Sequence, residues 1–381
     1  MIVLSVASGT SADGLDVGLV DVSVDDDAVR AEVLSTGTAP WPDGVREQVL
    51  EVLPPATTTA RDLALLDVAV GRAVADVARE ACAHASVRPE LVVSPGQTVH
   101  HEVVGERCLT TLQLGQPAWV AEATGLPVVS DLRTADVAAG GHGAPLAVVL
   151  DALWLAGAET RAALNLGGIA NVTVVGPDGA TARDTGPANC LLDVVAERVT
   201  GAPYDRDGAL AASGTVDEAL LQRLLHHPHL QPGAGTSTGR EVFSAAWLDA
   251  QLDGEPWADV QTTLVELTAA TVADAVLPAH PVEVVASGGG VANPVLVAAL
   301  QRRLGDVPLV RSEAHGLPAD GKEAVLWCLL GFLGWHGVPV STGAHPARVA
   351  GRFSPGRHGL VLPPPATVAP RRLHLVGSRT T

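Results

Sequence analysis

Lysine is almost missing from this chain of 381 residues: Lys322 is its only one, and the abundance of Arg, Ala, Val and Gly reads as codon bias rather than adaptation. Acidic side chains outnumber Lys and Arg by 42 to 24, a formal net charge of −18, and there is no long basic run. That balance argues against nucleic acid and against anionic membrane surfaces as partners, since both are bound through clustered cations. An anionic substrate would instead be met by a few local positive groups. Cysteine is scarce too. Cys82, Cys108, Cys190 and Cys328 are scattered, without a Cys-x-x-Cys pair, and a reduced cytoplasm is the simplest home for them. No apolar stretch reads as both long enough and free enough of breakers to span a bilayer. The opening Met1-Ile2-Val3-Leu4-Ser5-Val6 lacks a charged n-region and reads as a first strand, not a signal peptide.

What is present is apolar and glycine-rich. With 47% hydrophobic residues, the chain can bury large cores, and its length suggests two domains or one bilobed unit. The stretch 182–193, A-R-D-T-G-P-A-N-C-L-L-D, organises the rest. Asp184 is followed by Thr185, Gly186 and Pro187, and an apolar run then reads as a helix packed on a core. This predicts Asp184 at a strand-to-helix corner, where backbone N–H groups can point at an anion. A plain capped helix start is the bland alternative.

Strand 2–7 ends in Ser8-Gly9-Thr10-Ser11-Ala12-Asp13-Gly14, and residues 15–24 alternate apolar and polar like a second strand. A strand–turn–strand loop of this kind can wrap phosphate oxygens with backbone and hydroxyl donors. It lacks the Gly-Lys-Ser/Thr of a P-loop, so the charge would fall to Mg²⁺, with Asp13 as an outer-shell partner. A simple hairpin turn is the alternative. Residues 57–83 read as a long amphipathic helix, and the strand at 91–93 breaks at Ser94-Pro95-Gly96-Gln97-Thr98. Gln97 and Thr98 could bond a polyol at the strand's carboxyl end. Arg133 offers a planar fork for a carboxylate or phosphate, or else a surface ion pair with Asp131. The following glycines Gly140, Gly141 and Gly143 suit a hinge.

Residues 163–173, with Gly167-Gly168, and the Asp184 stretch repeat the layout of 2–24, which suggests two related lobes facing each other. Ser287-Gly288-Gly289-Gly290 after a buried strand is a nucleotide-edge signal or merely a flexible loop. Glu323, at the first turn of an apolar helix, is a carboxylate favoured by the helix dipole.

In this order the motifs resemble the 1,6-anhydro-N-acetylmuramic acid kinase family. The likeness rests on Ser8-Gly9-Thr10-Ser11 with Asp13-Gly14 and Asp16, Gly96-Gln97-Thr98-Val99, Asp131-Leu132-Arg133 with Asp136, and residues 140–146. It continues through 165–171, Asp184-Thr185-Gly186-Pro187, 237–241, 287–290 and Glu323-Ala324, so it covers roughly residues 1–354. Thr236, Pro95 and Ala188 depart from the family pattern. The resemblance implies an α/β fold of the bilobed, actin-like ATPase (ribonuclease H-like) kind, with two related lobes around a nucleotide cleft holding ATP and Mg²⁺. Lobe I would be residues 1–136 with a return segment 345–362, lobe II residues 137–344, and 363–381 a flexible Pro-rich tail. Water would open the anhydro bridge while the freed O6 takes the γ-phosphate. Asp184 would be the base. Ser8, Gly9, Thr10, Ser11, Asp13 and Gly14 would hold phosphates, Gly167 and Gly168 the other side, and Gly288, Gly289 and Gly290 the adenosine. Gln97, Thr98, Arg133 and Glu323 would contact the sugar. The partners implied are ATP and a small sugar, with no nucleic acid and no membrane, and a homodimer left open. Another anhydrosugar such as levoglucosan, or a non-catalytic nucleotide-binding regulator, is the alternative.

Overall fold

Alternating and wholly apolar runs become strands, as the sequence pattern predicts. The computed structural model describes residues 1–9, 12–105, 107–231, 242–318, 321–343, 345–366 and 368–376. The chain divides into unit 1, Met1–Trp154 with Gly321–Thr381, and unit 2, Leu155–Asp320. Unit 1 begins with β1 (Ile2–Ala7), β2 (Leu15–Asp25), β3 (Ala28–Ala39), β4 (Leu91–Ser94), β5 (Gln97–Val104), β6 (Arg107–Leu114) and β7 (Val128–Ser130). Unit 2 contributes β8 (Arg161–Leu166), β9 (Ile169–Gly176), β10 (Gly179–Pro187), β11 (Val284–Ser287) and β12 (Leu309–Arg311). The returning chain adds β13 (Pro339–Val340), β14 (Arg348–Val349), β15 (Arg352–Ser354) and β16 (Arg372–Val376) to unit 1.

The unit 1 sheet runs β15-β7-β4-β1-β2-β3-β16 and the unit 2 sheet β10-β9-β8-β11-β12. In unit 1, β1 pairs antiparallel with β2, β2 antiparallel with β3, and β1, β4 and β7 are parallel neighbours. Unit 2 repeats this order and sense: β8–β9 and β9–β10 are antiparallel, and β8, β11 and β12 are parallel. The fold is therefore α/β of the actin-like ATPase class, with two related lobes, and the repetition read in the sequence is a repetition of topology. Strands β4 and β11 are buried along their whole length, which is why they lack alternation.

In unit 1, helix Ala60–His84 covers one group of apolar residues with Leu4, Val6 and Val92, and helix Lys322–Trp335 is buried from Ala324 to Trp335. Gly18 allows that second helix to approach β2: a Cβ there would overlap Ala324. In unit 2 the central layer is helix Trp257–Val276, buried at almost every position after its first turn. Continued to Ala279, it is long and apolar enough to cross a membrane, contrary to the sequence reading, yet 78% of its apolar window is buried. A helix packed on all sides is apolar all round, and length and hydropathy do not distinguish it from a span.

The boundaries at 136/137 and 344/345 do not coincide with those of the compact units, which lie at 154/155 and 320/321. Helix Ala147–Trp154 and helix Lys322–Trp335 belong to unit 1, the latter because its apolar face covers that unit's sheet. The glycines at 140–143 thus lie within unit 1 rather than at a crossing. The tail is also not devoid of structure: β16 lies parallel to β3, pairing Leu373 with Val29, and Leu373 is 4% exposed.

Candidate functional site

Because β1, β4 and β7 are parallel, their carboxyl ends share one edge of the unit 1 sheet, the usual ligand edge of an α/β fold. Ser8-Gly9 leaves β1 there, and Ala12 N–H closes the turn on Gly9 O at 3.1 Å. Thr10 and Ser11 lie outside the described residues. Gln97 is buried beneath the turn, and its Nε2 donates to Gly9 O and to Thr98 O, each at 3.1 Å. Among the described residues its buried Oε1 has no hydrogen-bond partner, leaving an acceptor beside the turn. Thr98 Oγ1 accepts from Gln113 Nε2 at 3.2 Å. Gly14 faces Thr38, whose Cγ2 would lie 2.6 Å from a Cβ, and Asp13 beside it is exposed. Asp16 pairs in register with Ala7 and Thr38, and Thr38 Oγ1 donates to it at 2.8 Å.

Arg133 follows β7. Its Nη1 donates to Gly143 O at 2.7 Å, and the guanidinium lies 5.6 Å from the Trp327 ring centre. The alternative of an ion pair with Asp131 does not hold, because Asp131 is taken by Arg352 Nε at 2.8 Å and by the Thr134 N–H and hydroxyl. Loss of hydration pulls the Arg133 pKa down, and Glu323 and Asp131 oppose that pull. Glu323 keeps solvent-accessible surface, but protein crowds its carboxyl, and this loss of hydration pushes its pKa up. Asp16 and Asp13 add to the rise, while Arg133 and Lys322 counter it. Desolvation also lowers the pKa of His101, and Arg133, His142 and His100 lower it further.

Unit 2 brings its motifs together by register. Asp184 on β10 stands opposite Asn171 on β9, Asn171 opposite Asn165 on β8, and Asn165 opposite Ser287 on β11. Paired positions point to one face, so three separated motifs form one polar row across the sheet. Asp184 therefore sits within β10, three residues before its end, not at the strand-to-helix corner. A bulge between Asp184 and Gly186 re-aims the strand there. Gly186 adopts φ 141°, and a Cβ would meet Leu230 Cδ2 at 2.7 Å. The helix amides expected to face an anion are occupied as well: Ala188 and Cys190 N–H donate to Gly168 O and Asn189 N–H to Gly167 O, at 3.0–3.1 Å. This pins the Gly167-Gly168 turn beneath helix Asn189–Thr200.

Gly288, at φ 86°, packs so closely on the end of β8 that a Cβ would lie 2.7 Å from Asn165 Oδ1. Gly289 is exposed, and its added Cβ would meet nothing closer than 3.9 Å. An edge with no side chain at that point fits a nucleotide. No cluster of three or more His, Cys, Asp or Glu residues with metal-holding geometry occurs among the described residues.

Asp136 is part of a motif read in the sequence, but sequence reasoning missed that it meets Thr342 and His345 across the chain, and missed the Lys322–Asp151 ion pair. It also missed Trp327 under Arg133, although the i, i+4 spacing from Glu323 was a readable signal. Residues 236–241 lie outside the described residues.

The pattern of the anhydro-N-acetylmuramic acid kinase family matches residues 1–356. The anhydro-N-acetylmuramic acid kinase of Streptomyces coelicolor is 48% identical over 99% of this chain and 100% of its own length. Those of Rhodococcus erythropolis and Xanthomonas axonopodis pv. citri are 45% and 43% identical, over 94% and 92% of this chain and 96% and 97% of theirs.

Proposed function

Because the chain belongs to the anhydro-N-acetylmuramic acid kinase family, we propose that it uses ATP and water to convert 1,6-anhydro-N-acetylmuramic acid to N-acetylmuramic acid 6-phosphate and ADP, in peptidoglycan recycling. Water adds its oxygen to C1, the C1–O6 bond breaks, and O6 takes the γ-phosphoryl group as the bond to the ADP oxygen breaks. The proton lost by the water needs a base. Asp184 takes that role, held by the β10 bulge at one end of the polar row with Asn171, Asn165 and Ser287. That row is the observation that carries the reading, because it unites the glycine turn, the nucleotide-edge serine and the carboxylate in one register.

The remaining roles divide by unit. In unit 1, Ser8, Gly9, Thr10, Ser11 and Gly14 line the β/γ-phosphates, with Gln97 fixing the turn through Gly9 O and offering Oε1 to a ligand hydroxyl. Arg133 pairs with the lactyl carboxylate, while Thr98 and Glu323 face the sugar. In unit 2, Gly167 and Gly168 approach the phosphates, and Gly288, Gly289 and Gly290 receive the adenosine. Mg²⁺, when bound with the nucleotide, neutralises charge on the transferring phosphoryl group, and Asp13 is its outer-shell partner.

The test is ATP- and Mg²⁺-dependent turnover of the anhydro sugar, with levoglucosan in parallel and products identified by mass. A ring-opened 6-phosphate carrying one added water is expected. Asp184→Asn should lower kcat by about 10²–10⁴-fold with ATP binding kept. Retained turnover in that variant would remove Asp184 from the role of base.

A further inference from the structure

The Asp136 carboxylate is buried and meets three residues from two separate segments, Gly143 and the stretch holding Thr342 and His345. Its Oδ2 accepts from Gly143 N–H and from Thr342 Oγ1, both at 2.8 Å. Its Oδ1 accepts from Thr342 N–H at 3.3 Å and lies 3.2 Å from His345 Nε2. The surroundings are tight: Gly143 has φ 67°, and a Cβ on it would lie 3.0 Å from Val137 Cγ2 and 3.1 Å from Arg133 Cβ. Gly141 leaves no space for a Cβ beside the Asp136 carboxylate and the His345 ring. Gly143 is thus held at both polar ends, its N–H by Asp136 and its C=O by Arg133 Nη1 at 2.7 Å.

From this we propose that Asp136 is a positioning residue, which fixes the Gly143 carbonyl and through it the direction of the Arg133 guanidinium. The inference rests on the reading of Arg133 as the group that meets the sugar's carboxylate. One guanidinium N–H is spent on Gly143, and the planar fork keeps its other donors for a bidentate partner only while that carbonyl stays in place. Thr342 and His345 brace the carboxylate from the far side. The cluster therefore bears on sugar binding and leaves phosphoryl transfer alone.

Steady-state kinetics on the full chain test this. Asp136→Asn should raise the sugar KM about tenfold, the loss of one charge-assisted hydrogen bond, with kcat and the ATP KM within about twofold. Thr342→Val, a milder change should Asp136→Asn fold poorly, should raise the sugar KM about threefold. In an Arg133→Ala background neither change should raise it further. A full additional rise in that background, or a parallel loss of kcat and ATP affinity, overturns the positioning role. An Arg133→Ala variant with unchanged sugar KM overturns the underlying reading of Arg133 instead.

Discussion

Replacing the sole lysine should destabilise unit 1 far more than a surface lysine would. Lys322 Nζ lies 2.8 Å from Asp151 Oδ1, with side-chain exposures of 7% and 0%, and 5.9 Å from the Trp154 ring centre. The lysine is also the first residue of helix Lys322–Trp335, where the helix dipole disfavours a cation, so local helix energetics do not account for it. Lys322→Met removes the ammonium facing a wholly buried carboxylate, a class of change that costs about 3–5 kcal/mol. At about 2–4 °C per kcal/mol for a domain of this size, the Tm of the transition assigned to unit 1 should fall by about 6–20 °C. Lys322→Met combined with Asp151→Leu should recover most of the loss, because removing a buried pair as a pair is often neutral. Calorimetry and urea unfolding measure both, with separate transitions fitted where the two units unfold separately. Amine acylation gives an independent check: the native chain should react at its N-terminus, and Lys322 only on unfolding. A single variant within about 1 kcal/mol of the parent, or a double variant as unstable as the single, would refute the argument from buried charge.

Two further perturbations follow from the site. The folded-state pKa of Glu323 is raised, so its folded form holds the proton more tightly than the unfolded chain does; the contribution to stability is complete below the ordinary carboxylate pKa and is lost as pH rises through the raised one. Glu323→Gln should therefore raise the Tm at pH 8, with the gain vanishing near pH 4, and a gain independent of pH would contradict this. Gly288→Ala places a Cβ against the Leu166 carbonyl, 2.9 Å away, at φ 86°. It should cost about 1–3 kcal/mol and raise the ATP KM, and an unchanged Tm in thermal unfolding would show that the β8 and β11 ends are less tightly packed than they are here.

The legible parts of the fold are those written locally. The repeated layout of 2–24 and of 163–173 with the Asp184 stretch carries alternation and glycine punctuation, and it lies within matching antiparallel triplets, β1-β2-β3 and β8-β9-β10. Side-chain direction was not local. Gln97 was read as a sugar contact, yet its amide nitrogen is committed to Gly9 and Thr98 carbonyls, which nothing in the order Gly-Gln-Thr discloses. Asp136 and Thr342 meet across 206 residues of chain, and no periodicity reports a contact of that range. The bounds of the compact units differ from the lobe bounds read in the sequence for a related reason. Helix Lys322–Trp335 follows unit 2 in sequence, but its apolar face completes the layer over the unit 1 sheet. The strand at 372–376 was obscured by the proline-rich stretch before it, although Leu373 and Leu375 alternate as a half-buried strand should.

Arg133 and Glu323 are each held away from their ordinary protonation equilibria in the same direction of unease, both losing hydration and each partly relieving the other. Groups kept in that condition cost stability, and a site retains them where a ligand repays the loss. Under the proposed roles the repayment is selective. A sugar bearing a lactyl carboxylate and hydroxyls can satisfy Arg133 and Glu323 together. A neutral anhydrosugar such as levoglucosan offers a hydroxyl to Glu323 but leaves the desolvated Arg133 without an anion. A polar group left unmatched in a formed site is what makes discrimination steep, whereas added or missing apolar bulk changes it only modestly. Arg133→Ala should accordingly narrow the gap in kcat/KM between the two sugars, mainly by weakening the muramic substrate. A gap that stays unchanged would place the source of selectivity elsewhere in the site.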